Sequence, residues 1–117
     1  MTTNHGRKDA AREKLQQILE EAAEGGADSI ELEYAPEGLE ISTLVGSTGI
    51  GNVLDDRMLA REIIGLIIDR AKLENKSRGV MNWILVGKPR NIIVEEYDSF
   101  GESAFRLILG KPRRKHR

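Results

Sequence analysis

Three carboxylates, Glu31, Glu33 and Glu40, are the residues of this chain best spaced to do chemistry together. Glu31 and Glu33 alternate along one run and Glu40 follows a short turn, so a hairpin would set all three on one wet face. Paired carboxylates carry out acid–base work or bind divalent ions. No histidine can be placed beside them: His5 and His116 lie near the two ends, and no serine has an identifiable His partner for nucleophilic catalysis. A solvated sheet face is therefore the expected role of the three glutamates. The second candidate is Gly46-Ser47-Thr48-Gly49-Ile50-Gly51, expected as a loop after a strand and before a helix, where phosphate-binding glycines occur. The Lys-Ser/Thr pair of a P-loop is missing, and the spacing is not Gly-x-Gly-x-x-Gly. Asp55 and Asp56, near the start of the next helix, would repel phosphate. A flexible loop is the expectation. Cysteine is absent, so there is neither a disulfide framework nor a thiolate metal site. No catalytic residue, metal ligand or cofactor is expected.

The net charge of −1 conceals an asymmetry. Lys111, Arg113, Arg114, Lys115 and Arg117 put five positive charges in the last seven residues, and removing them leaves the body at −6. An acidic body with a basic tail is not the footprint of a dedicated nucleic-acid-binding fold, which carries its basic residues on the folded surface. Residues 111–117 are expected to be a disordered basic tail, the one route to weak nucleic-acid contact. Residues 1–8 are expected to be a disordered N-terminus, and residues 9–110 a single domain. The N-terminus has no apolar stretch of secretory type, and the longest apolar run, Ile63 to Ile68, is far too short to span a bilayer. A cytoplasmic protein without membrane insertion is the expectation.

The elements follow from periodicity. Ala11, Leu15, Ile18, Leu19, Ala22 and Ala23 recur at three- and four-residue spacing and predict a helix over 7–24, stopped by Gly25-Gly26. Ile30, Leu32 and Tyr34 alternate with charged residues and predict a strand over 28–34. A turn at Ala35-Pro36-Glu37-Gly38 leads to a strand over 39–45 with Leu39, Ile41 and Val45 inward. A second helix, over 55–72, is apolar round much of its circumference, with Gly65 at a place that suits close approach to a strand. Strands over 80–86, 91–97 and 102–109 are joined by turns at Gly87-Lys88-Pro89-Arg90 and Asp98-Ser99-Phe100-Gly101 and predict a meander. The expected fold is α+β: two helices on a mostly antiparallel five-stranded sheet, in the order α-β-β-α-β-β-β.

The meander also holds the clearest hint of a binding surface. Met81, Trp83 and Leu85 fall on one face of their strand, and Val80, Asn82, Ile84 and Val86 on the other. A strand apolar on both faces is either covered on both sides or sticky. Trp83 is correspondingly either a core anchor or an exposed contact.

These motifs resemble the small α/β domain that precedes the motor domain in type II secretion and type IV pilus assembly ATPases. Gly26-Ala27-Asp28-Ser29-Ile30-Glu31-Leu32-Glu33 matches that module's entry into its first strand, Ile63 to Leu73 its Ile-rich helix, and Gly101-Glu102-Ser103-Ala104-Phe105-Arg106-Leu107-Ile108-Leu109 its closing strand. The similarity covers residues 10–109. The chain departs from the family where a second-strand arginine and Asp-Gly turn give way to Ile41-Ser42-Thr43-Leu44-Val45-Gly46. The Gln-Asp-Gly-Arg entry is reduced to Lys76-Ser77-Arg78-Gly79, and a strand arginine is replaced around Glu95-Glu96. In the family, arginines of this domain reach toward nucleotide on the motor, and Arg90 and Arg106 are the survivors. No Walker motif is present, so the resemblance implies a shared fold and a docking role without ATP hydrolysis. The expected function is a bacterial-type, non-catalytic protein-interaction module. Its surface is expected around Trp83, Arg90 and Arg106, and its partner in secretion or pilus machinery. The alternative is nucleic-acid binding through the tail.

Overall fold

Two strand trios, each preceded by a helix, merge into one six-stranded sheet. The computed structural model describes residues 4–110, with side chains from Lys8 onward. In chain order the elements are α1 (Asn4–Glu24), β1 (Ser29–Ala35), β2 (Gly38–Val45), β3 (Thr48–Leu54), α2 (Arg57–Ala71), β4 (Arg78–Leu85), β5 (Lys88–Ser99) and β6 (Glu102–Ile108). The sheet order is β3-β2-β1-β6-β5-β4, with every neighbouring pair antiparallel. The α+β architecture with two helices is as expected, but the sheet has six strands, not five. The extra strand, β3, lies where a loop is expected over 46–51. Only Gly46, at φ 61°, and Ser47 form the turn, and the remaining glycines continue as an edge strand in unbroken register with β2.

α1 begins at Asn4, three residues before the expected start and within the segment expected to be disordered. Its stripe of Ala11, Leu15, Ile18, Leu19 and Ala22 is buried. It ends as the Gly25-Gly26 pair predicts. Gly26 takes φ 76°, Gly26 N–H bonds the Ala23 carbonyl at 3.1 Å, and Ala27 N–H bonds the Ala22 carbonyl at 2.9 Å. That is the Schellman closure, which satisfies carbonyls the last turn leaves open. α2 starts at Arg57 because Asp56 caps it, accepting from Leu59 N–H at 3.0 Å. Ile63, Ile64 and Ile67 of α2 join Leu15 and Leu19 of α1 over Ile30, Leu32, Phe105, Leu107, Ile92, Val94 and Met81 of the sheet. Both helices lie on one face, so the core is a single layer between helices and sheet.

Three further details differ from expectation. β5 runs from Lys88 to Ser99, well past 91–97, because the turn before it is only Val86-Gly87, both at positive φ. Pro89 therefore sits in the strand opposite Ile84, and β6 ends its pairing at Ile93, so beyond that point one side of β5 has no neighbour. A missing N–H is tolerated there. Val45, expected inward, is 39% exposed at the hairpin end. Gly65 makes no close approach: a Cβ there would meet nothing within 4 Å.

Candidate interaction surface

Strand parity separates the residues that the sequence groups together. Trp83 pairs with Arg90 across β4 and β5 on the helix-covered face, whereas Arg106 pairs with Glu95 on the open face. Trp83 and Arg90 are thus neighbours, and Arg106 is not part of their surface.

Trp83 is a core anchor. It is 6% exposed, and its indole N–H donates to Gln16 Oε1 at 2.7 Å. Gln16 Nε2 in turn donates to the Ile84 carbonyl at 3.0 Å and to Glu20 at 2.9 Å, tying α1 to the β4 edge. The Arg70 guanidinium sits 5.0 Å from the ring centroid, a favourable placement over the π face. Beside this group a cleft of about 660 Å³ opens between Arg12, Arg70, Asn82 and Pro89. Arg90 donates to the Gly110 carbonyl at 3.3 Å, and its Nε has no partner among the described residues.

On the open face, charges of alternating sign cross four strands in the row Arg78, Glu95, Arg106, Glu31. Arg106 reaches Glu31 at 3.1 Å and Glu95 at 3.4 Å, Arg78 holds the other side of Glu95, and Arg106 also stacks 5.0 Å over Tyr97. The hydrogen bond from Arg106 to Glu31 raises the arginine's pKa. Burial pushes the Tyr97 phenol up, with Glu31 adding to the shift and Arg106 opposing it. Exposed pairs of this kind are each worth about 0–1 kcal/mol. Their alternation chiefly fixes the register of β6 between β1 and β5. The three glutamates do share the open face, with Glu33 directly opposite Glu40. Glu31 is committed to Arg106, and Glu33 accepts from the Ser99 hydroxyl. Among the described residues no three His, Cys, Asp or Glu side chains are placed to hold a metal ion. The glycines of 46–51 form a turn and an edge strand, not a cradle before a helix. The basic residues Lys111, Arg113, Arg114, Lys115 and Arg117 lie outside the described residues. No helix described is long and apolar enough to cross a membrane.

The residue that the sequence reading passed over is Phe100. It is 102% exposed, fully solvated at the tip of the β5–β6 hairpin. It occupies the first position of a two-residue turn at φ 52°, followed by Gly101 at φ 87°. Both positions of such a turn need positive φ, and Asn-Gly is the favoured pair. A phenylalanine there gives up local backbone preference and buries nothing within the described chain. Acidic residues flank it: Ser99 pairs with Glu102 beside the tip, and Asp98 follows on the same hairpin. Val86 holds the same place in the β4–β5 turn at φ 50° and is 57% exposed. The sequence signal was available in Phe-Gly and Val-Gly standing where the meander demands two-residue turns.

No protein-family model and no curated protein matches this chain.

Proposed function

We propose that this chain is a non-catalytic protein-interaction module and that Phe100 is its principal anchor. The observation that carries the reading is the combination at Phe100 of complete exposure with a backbone conformation that suits Asn or Gly. Where a residue breaks a local rule with no gain inside the fold, function is the place to look for the gain. A large aromatic at a hairpin tip is the type of residue that dominates binding energy when it fills a partner's pocket. Asp98 and Glu102 flank it, so the complementary site is an apolar pocket with a basic rim on another protein. The resemblance to the domain that precedes secretion and pilus ATPase motors supports a docking role, and makes such machinery the first place to seek the partner.

The test is Phe100→Asn in the full-length chain. In this reading the substitution raises stability by about 1 kcal/mol, because Asn tolerates the left-handed region that Phe does not. The same substitution abolishes capture of a protein retained by the unaltered chain from nuclease-treated extract. A chain ending at Gly110 retains that protein. Equal capture by Phe100→Asn would reject the anchor, and capture that requires residues 111–117 would reject the module.

A further inference from the structure

Ile41 to Leu54 contains no Asp, Glu, Lys or Arg, the longest such stretch in a chain that is 32% charged. The fold places its second half, β3, at one margin of the sheet. Thr48 to Val53 are exposed, with Ile50 at 63% and Val53 at 47%. Sheet edges are ordinarily guarded by charges, prolines, bulges or covering elements. β3 has no charge and no proline, and its register with β2 runs through seven consecutive pairs without a bulge. The opposite margin, β4, is treated differently: Arg78 opens it, Gln16 occupies the Ile84 carbonyl, and Arg12 and Arg70 stand alongside.

We propose that β3 pairs antiparallel with β3 of a second copy of this chain, about a two-fold axis beside Gly51. The backbone sets the register. Val45 and Thr48 close the two-residue hairpin, so they exchange their hydrogen bonds, and the alternation turns the N–H and C=O groups of Gly49, Gly51 and Val53 to the free side. A two-fold at Gly51 sets it opposite the partner's Gly51 and sets Val53 opposite the partner's Gly49, so all three outward residues are paired.

The side chains agree with that register. Gly49, Gly51 and Val53 share the helix-free face, and Leu44 already lies across Gly49, 3.1 Å from where a Cβ would stand. Each Val53 therefore stands opposite the other copy's Gly49 and settles against the Leu44 that lies across it, the one large residue of that row meeting a glycine. A foreign strand finds no charge on β3 to read, whereas this sequence run antiparallel supplies its own large-to-small match. Like charges are not brought together, since Asp55 comes opposite the partner's Ser47. The axis is normal to the sheet, so the helices of both copies stay on one side. A contact confined to one strand and its flanks is small, and the association is a reversible one.

The chain has no cysteine, so a single introduced thiol reads the register directly. Gly51 accepts a side chain: a Cβ there meets only Ser42 Oγ at 3.8 Å and the Ile41 carbonyl at 3.9 Å. Directly opposed, hydrogen-bonded residues stand about 5.5 Å apart at Cα, within disulfide reach. Full-length Gly51→Cys, mildly oxidised, is expected to form a disulfide dimer, whereas Val53→Cys, which faces the partner's Gly49, is not. The unaltered chain sediments as a reversible monomer–dimer, and Val53→Lys, an exposed change, removes the dimer boundary while leaving the circular dichroism unchanged. A chain that stays monomeric at the highest attainable concentration overturns the proposal. So does oxidation that links both cysteine variants alike or neither of them.

Discussion

Gly79 and Gly65 look alike in the sequence and do opposite things in the fold. At Gly79 the start of β4 passes so close to the end of α2 that a Cβ would stand 2.2 Å from the Ala71 carbonyl and 3.1 Å from Leu73 Cδ2. The strand cannot retreat without disturbing its pairing with β5, where Gly79 stands opposite Val94. Gly79→Ala is therefore expected to destabilise on the order of 3 kcal/mol, the upper range for overpacking. Gly65 faces open space on the exposed side of α2, where glycine contributes only backbone entropy lost on folding. Gly65→Ala is expected to stabilise by about 1 kcal/mol. Urea unfolding of the two variants beside the parent checks both signs, and a gain at Gly79 would mean that β4 and α2 are not in this close contact.

The two ends of α2 show how an element of fifteen residues is bounded by single side chains and leaves room for improvement. Asp56 satisfies one of the orphan N–H groups at the start. At the other end Lys72 takes φ 56°, its N–H bonding the Asp69 carbonyl at 3.2 Å, while Leu73 N–H bonds the Ile68 carbonyl at 3.0 Å and its side chain is buried. This is the closure that ends α1 on Gly26, built here with a lysine in the left-handed position. Asp56→Ala should cost about 1 kcal/mol, and Lys72→Gly should return about the same amount by relieving the Cβ clash. Far-ultraviolet circular dichroism through a denaturant titration reads both, and a loss on Lys72→Gly would show that the lysine side chain supplies something the cap geometry does not. The helices, with their apolar stripes and caps, were legible in the sequence because period and punctuation agreed. β3 was not, because glycine at 49 and 51 removes alternation, and an edge strand exposed on both faces has no buried row to reveal it. The site fared similarly. The two-faced character of Met81, Trp83 and Leu85 against Val80, Asn82 and Ile84 was readable from parity. Whether Trp83 was core or contact depended on Gln16, which lies sixty-seven residues away in the chain and supplies its hydrogen bond. Phe100 was hidden by reading its turn as four residues when only two make it.

At the scale of the whole molecule, the order of strands ties the two halves together more tightly than a tandem arrangement would. β1 and β6, from opposite ends of the described chain, pair at the centre of the sheet through Ser29 to Glu33 and Ala104 to Ile108. The helices cross that seam. α2 packs on β2 of the first trio and on β4 and β5 of the second, and α1, which precedes the first trio, packs on α2 and β4. Neither half can keep its apolar face covered if the other opens, so the described body should unfold as one unit. Leu32→Ala tests this. Leu32 is 1% exposed in the first trio, and its truncation is expected to cost about 2–5 kcal/mol through lost burial and a residual cavity. Trp83, the only tryptophan, reports from β4 at the far margin of the second trio. If the halves are coupled as their packing requires, Leu32→Ala shifts the Trp83 fluorescence transition and the circular dichroism transition to the same lower denaturant concentration, with one shared slope. A fluorescence transition left at its original midpoint while the circular dichroism moves would mean that β4 to β6 and their helix hold together alone, and that the seam between β1 and β6 joins two separable bodies.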